Sequence, residues 1–313
     1  MTVLYPRTMD AGFPGDDGQR LQPACRGRLL RPDGTQAKGT VLAFHGFSAG
    51  PWQFENLAED LLALGWNVLL PRLAGHGHAT ATGEEDPRFL PRAHEALRYR
   101  EAAEQALAVA RDLEPPLVLC GLSAGGAVAL DLAIRHEGIA RVCAMAPLLV
   151  PAAPKARLAY RLVQATDGPS GGRIGRWLDN RPFAWGDAPP RHDDGWVRPG
   201  HWRFAAGNLV GILRFVADIM PRAHQLAIPL QLLTTSRDDL ADPGAAGRFW
   251  ARRRATGSGW QHFVATDGVP HAMISPRQHP EARSRLRVTK TVLDFLDAGT
   301  PTHVPPPGGR SGA

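Results

Sequence analysis

Apolar positions along this chain follow two periods. Short runs at 41–44, 66–70, 117–120 and 141–145, apolar but for Asn67 and Arg141, are continuous rather than alternating, the pattern of strands covered on both faces. Between them apolar residues recur every third or fourth position. In 52–64, Phe54, Leu57, Leu61 and Leu64 form one stripe that Gly65 terminates, and helices are also predicted over 93–113 and 124–135. The alternation resumes with helix 209–220, strand 230–234, helix 243–254, strand 261–264 and helix 281–297. Strands and helices in turn imply an α/β fold, a mostly parallel central sheet with helices on both faces. Ahead of it, "RGRLLRPDGTQAKG" predicts a hairpin turning at Asp33-Gly34.

Regularity fails over 148–203, where Pro, Gly and Arg are dense and Trp177, Phe183, Trp185, Trp196 and Trp202 gather just ahead of Phe204. An irregular aromatic segment inside an α/β pattern reads as an inserted cap, most of its aromatics packing it against the sheet. The expected organisation is an N-terminal segment and hairpin (1–38), a core (39–147 and 204–298), the cap (148–203) and a disordered Pro/Gly-rich tail (299–313). Oligomeric state is not legible in this pattern.

Composition narrows the function classes. At 313 residues and 43% hydrophobic, the chain can bury a large core. The net charge of +6 comes from arginines scattered among acids, as in "ARRRAT", with no nucleic-acid recognition motif, so no nucleic-acid partner is expected. Cys25, Cys120 and Cys143 are odd in number and lack metal-ligand spacing, as for reduced thiols in a cytoplasmic protein. No signal-like N-terminus and no bilayer-length apolar stretch is seen, so a soluble protein without membrane insertion is expected. With no G-x-G-x-x-G after a strand, no P-loop and no H-E-x-x-H, neither cofactor nor metal is expected.

One polar residue interrupts the apolar run "LVLCGLSAGGAVAL". Gly121-Leu122-Ser123-Ala124-Gly125 fits G-x-S-x-G at a strand-to-helix junction, a turn so tight that flanking glycines are needed and the hydroxyl is left above the sheet. Serine needs a base, and the base an orienting acid. Beyond the cap, strand 230–234 runs into "TSRDDLAD", offering Asp238, Asp239 and Asp242, the last equally suited to capping the helix at Pro243. Strand 261–264 runs into "ATDGVPHAMISP", placing His271 past a strand end; parallel strands put all these ends on one edge. In "FHGFSAGPW" the Phe47 N–H, with that of Ala124, is a candidate oxyanion donor, and His45 is read as bracing the loop.

Taken in order, "HGFSAGP", "PRLAGHG", "GLSAGG", "SRDDLAD" and "GVPHAM" resemble the α/β-hydrolase superfamily, and within it the bacterial monoacylglycerol lipase and carboxylesterase group, also called serine-aminopeptidase-like hydrolases. The resemblance spans about 39–297. It implies an α/β-hydrolase fold, Ser123 as nucleophile, His271 as base, Asp238 as acid, and Phe47 and Ala124 main-chain amides as oxyanion hole. The "GHG" of Gly75–Gly77 matches a loop near that group's site, and His76 is read as structural rather than catalytic. A dehalogenase or epoxide hydrolase would need Asp where Ser123 stands.

The expected function is cleavage of carboxylic esters, either monoacylglycerols or short and medium acyl esters, through an acyl-enzyme. An acyltransferase or a thioester or amide hydrolase would use the same three residues, and a binding protein on this scaffold would be expected to lose one of them. The cap departs from the group in its Arg, Trp and Pro content; Arg157, Arg161, Arg173 and Arg176 are read as solvated, with an acidic substrate group as the other possibility.

Overall fold

Residues 41–44 are apolar on both sides of the strand because the sheet is covered on both sides. Leu42 and Phe44 enter one core, Val41 and Ala43 the other. The computed structural model describes residues 2–4, 20–33, 36–165, 177–178, 180–184, 197–254 and 257–298. Its main elements are β1 (Thr2–Leu4), β2 (Arg28–Arg31), β3 (Thr40–Phe44), α1 (Glu55–Ala63), β4 (Asn67–Leu70), α2 (Arg98–Arg111), β5 (Leu117–Leu122), α3 (Ala124–Arg135) and β6 (Ile139–Met145). They continue with α4 (Pro154–Ala165), α5 (Ala206–Ala217), β7 (Leu230–Thr235), α6 (Pro243–Arg252), β8 (Gly259–Phe263) and α7 (Ala282–Asp297).

The eight strands lie in the order β1-β2-β4-β3-β5-β6-β7-β8. β2 is antiparallel to both its neighbours, and every pairing from β4 to β8 is parallel. α1 and α7 bury Leu57, Leu61, Val288 and Val292 on one face; α2, α3, α5 and α6 bury Leu107, Val128, Ile212 and Phe249 on the other. The parallel register, with Phe44 opposite Gly121 and Leu122 opposite Met145, brings the carboxyl ends of the central strands to one edge.

The hairpin expected at Asp33-Gly34 is not formed. Both edges of β2 are occupied, by β1 on one side and β4 on the other, so no place remains for a strand folding straight back. Gly34 itself lies outside the described residues. α5 begins at Ala206, three residues before its expected start, because Asn208 Oδ1 accepts the Ala205 N–H at 3.0 Å and caps the first turn.

Over 148–203 the described residues are only partly irregular. α4 lies against α5, with Tyr160 buried in the sheet's own core, and Pro182–Ala184 pairs antiparallel with Arg203–Ala205. Phe204 is buried, and Phe183 and Phe47 both meet its ring at 5.2 Å. Trp177 does not pack inward: it is 60% exposed under Arg181, because its neighbourhood offers a cation to stack on rather than a core. Arg157 donates to the carbonyls of Pro151 and Ala152, and Arg161 is exposed. Trp185, Trp196, Arg173, Arg176 and the tail 299–313 lie outside the described residues. Among the described residues no helix is long and apolar enough to cross a membrane.

Candidate active site

Ser123 sits between β5 and α3 with φ 57° and ψ −119°, a conformation side-chain-bearing residues rarely adopt. Its neighbours make the turn possible. A Cβ on Gly125 would stand 2.0 Å from the Phe44 carbonyl oxygen, and one on Gly121 would stand 2.2 Å from that of Gly125. Ser123 N–H donates to Met145 O at 2.9 Å and Leu148 N–H to Ser123 O at 3.0 Å, so the turn is fastened to the end of β6. Ala124 opens α3, which leaves its N–H without an intrahelical acceptor.

Asp238 and His271 are in direct contact, Nδ1 to Oδ1 at 2.8 Å, with the side chains 11% and 2% exposed for His271 and Asp238 respectively. Asp238 Oδ1 also accepts the N–H groups of Leu240 and Ala241, at 3.0 and 2.7 Å, so Nδ1 is the donor of the pair. Thr235 Oγ1, at the end of β7, donates to Val269 O at 2.7 Å and ties the Asp238 loop to the His271 loop. The other two aspartates stand elsewhere. Asp239 is exposed, and Asp242 caps α6 by accepting Gly244 N–H at 2.9 Å while facing Arg248 and Arg157. Ser123 is set on the same sheet edge as this pair, without a hydrogen bond to the ring.

The loop after β3 reaches Ser123 from the other side: a Cβ on Gly46 would lie 3.5 Å from that of Ser123. Gln53 braces it, its Oε1 accepting Gly46 N–H at 2.8 Å while its Nε2 donates to Gln278 Oε1 at 2.7 Å, beyond His271. His76 Nε2 accepts Ser48 N–H at 3.0 Å. Among the described residues the N–H of Phe47, between these two, has no acceptor.

His45 and His76 have the structural places expected of them. His45 donates from Nδ1 to Gly46 O at 2.8 Å and accepts Leu73 N–H on Nε2 at 3.0 Å; His76 donates from Nδ1 to Ala74 O at 2.9 Å. Each therefore needs a neutral ring. Burial pushes the His76 imidazole down to about 3, and burial, then the neighbouring His76, holds His45 well below the ordinary histidine value. Burial does the same to His201, whose Nε2 accepts Gly77 N–H at 3.2 Å. Gln53, Ser48, Arg198 and His201 were not singled out by the sequence. Gln53 is a polar residue in an otherwise apolar helix start and was findable; Arg198 lies in the aperiodic segment, where no spacing signals it. No group of three or more His, Cys, Asp or Glu side chains among the described residues is arranged to hold a metal ion.

Residues 41–285 match the model of the alpha/beta hydrolase family, and the chain belongs to that family. It is an enzyme, a hydrolase. A thermostable monoacylglycerol lipase of Bacillus sp. (strain H-257) is 25% identical over 211 residues, covering 66% of this chain and 73% of that one. The fold is also that of the monoacylglycerol lipase of Paleococcus ferrophilus, with TM-score 0.64, 18% identity and 86% and 97% of the two chains covered. It is shared too by a soluble variant of monoglyceride lipase from Saccharomyces cerevisiae in complex with a substrate analog, with TM-score 0.63, 15% identity and 88% and 93% covered.

Proposed function

We propose that this hydrolase cleaves carboxylic esters through an acyl-enzyme, with Ser123 as nucleophile, His271 as general base and Asp238 as the acid that orients the ring. The observation that carries the reading is the Asp238–His271 hydrogen bond at the edge where Ser123 is held at φ 57°. With Nδ1 protonated toward Asp238, Nε2 of the neutral ring is the acceptor for the serine proton. As Ser123 Oγ attacks the carbonyl carbon, the proton passes to Nε2 and Asp238 stabilises the imidazolium. The Phe47 and Ala124 N–H groups take the charge growing on the carbonyl oxygen. The alcohol leaves with the Nε2 proton, and water, deprotonated by the same ring, releases the acid and restores Ser123. In this reading 148–203 is a cap over the sheet edge. Likeness to the Bacillus monoacylglycerol lipase puts monoacylglycerols and short or medium acyl esters first among substrates.

Turnover of p-nitrophenyl esters from acetate to palmitate, with a 1-monoacylglycerol alongside, tests this against Ser123→Ala. A loss of about 10⁴-fold or more in the variant is expected. A folded wild type inert on every ester, or a variant as active as wild type, overturns the reading.

A further inference from the structure

The oxyanion loop contains a residue that its own conformation does not favour. Gly46 to Ala49 form a four-residue turn closed by Ala49 N–H to Gly46 O at 3.2 Å, and its third residue, Ser48, has φ 60°. That position takes a positive φ readily only with glycine or asparagine; for serine it costs on the order of 1 kcal/mol. Something outside the turn must hold it.

The hold comes from the segment just before Arg203–Ala205. Arg198 Nη2 donates to Ser48 O at 3.1 Å and to Ser48 Oγ at 2.9 Å, and His201 N–H donates to the same carbonyl at 2.9 Å. The approach is close enough that a Cβ on Gly200 would fall 2.3 Å from Ser48 O. On the opposite side His76 fixes Ser48 N–H. Ser48 is thus gripped at its amide, carbonyl and hydroxyl, and it adjoins Phe47.

We propose that Arg198 is a positioning residue for ester cleavage: by holding Ser48 at positive φ it keeps the turn closed and the Phe47 N–H aimed at the developing oxyanion. The inference rests on the oxyanion role given to Phe47 above. The peptide that carries the Phe47 N–H also carries the Gly46 carbonyl, which accepts from His45 Nδ1 and Ala49 N–H. In a planar trans peptide the two groups point oppositely, so holding the turn closed fixes the direction of the N–H. The guanidinium does this largely out of water; burial lowers its pKa, and Glu85 opposes that shift. A single donor of an oxyanion hole is worth about 10²–10³-fold in rate, and a misaimed one loses part of that.

Arg198→Ala and Arg198→Lys test it on a p-nitrophenyl ester and on a trifluoromethyl ketone that mimics the tetrahedral adduct. For Arg198→Ala, kcat is expected to fall about 10- to 100-fold with KM within about threefold, and Ki for the ketone to rise by the factor that kcat/KM loses. Arg198→Lys, with charge but no fork, is expected to fall between Ala and wild type. Arg141→Ala is the control, since Arg141 also binds one main-chain carbonyl, Phe295 O at 2.9 Å, but on the α7 side of the sheet. It is expected to lower Tm and leave kcat unchanged. Wild-type kcat in Arg198→Ala overturns the inference, as does a loss that tracks Tm while Ki stays constant. Should Arg198→Ala fail to fold, Arg198→Lys decides by the same readouts, wild-type kcat and Ki again overturning it. A Ser123→Ala variant that stays active removes the underlying reading; a Ser123-dependent esterase indifferent to Arg198 overturns this inference alone.

Discussion

Asp238 holds His271 with the same carboxylate oxygen that two main-chain N–H groups hold in place: Oδ1 accepts His271 Nδ1 at 2.8 Å, Ala241 N–H at 2.7 Å and Leu240 N–H at 3.0 Å. The carboxylate is therefore oriented before the ring meets it. Asp238→Asn replaces an acceptor-only group with one that also donates, and is expected to lower kcat about 10³- to 10⁴-fold through the wrong ring tautomer. Asp242→Ala removes a helix cap and surface ion pairs with Arg248 and Arg157, none of which touches His271. It should cost about 1 kcal/mol of stability and leave kcat within twofold. Steady-state kinetics and thermal melts on both variants separate the two aspartates.

The glycines of the Ser123 turn are not equivalent. Gly125→Ala drives a methyl to 2.0 Å from the Phe44 carbonyl oxygen, whereas the nearest atom to a Cβ on Gly126 is 3.2 Å away. The three atoms nearest that methyl are all main-chain atoms of Phe44 and His45, which leaves nothing flexible to move, so this variant should lose more than about 4 kcal/mol or fail to fold. Gly126→Ala is expected within about 1–2 kcal/mol of wild type, the crowding partly offset by alanine's better helix propensity. Urea unfolding of the two variants checks the difference; equal losses would refute it.

Three buried imidazoles give this fold an acid sensitivity of its own. His45, His76 and His201 all stay neutral in the native state at pH values where the unfolded ring, near 6.5, takes a proton. Below about pH 6.5 the unfolded chain binds more protons, so stability falls as pH falls, and for His76 it continues to fall down to about pH 3. Each ring contributes up to about 1.4 kcal/mol per pH unit, so the three together approach about 4 kcal/mol between pH 6 and 5. His76→Gln should remove up to about a third of that slope. Urea unfolding at pH 7, 6 and 5 measures it, and a slope under about 1 kcal/mol per unit for wild type would count against three buried neutral rings.

The thiols should be inert in the native protein. Burial pushes the Cys25 thiol up to about 12, and the side-chain hydrogen bond with Cys120, then burial, raises Cys143 well above its ordinary value. With all three free and buried, native protein is expected to consume less than about 0.1 equivalent of DTNB in an hour, and the guanidinium-unfolded chain all three. Rapid labelling under native conditions would mean that the chain around one of these cysteines opens locally.

Chain-local information settled much of this. The two hydrophobic periods located β3 to β7 and the helices packed on them, since strands covered on both faces must be largely apolar throughout and helices covered on one must be striped. The tight glycine turn at Ser123 and the strand-end positions of Asp238 and His271 were legible for the same reason: each depends on residues within a few positions of itself. Three things depended on distant chain. β2 could not be paired locally, because its partners are β1 and β4 and a turn signal such as Asp33-Gly34 says nothing of occupied edges. Among the aspartates, residue types and spacing left three open, and the His271 ring, 33 residues away, meets only Asp238, the others being exposed or engaged in a cap. The grip of Arg198 on Ser48, across 150 residues, carries no periodicity at all. Hydrogen bonds between remote loops leave no spacing in a sequence, so only the folded sheet edge, which brings those loops within 3 Å of one another, decides them.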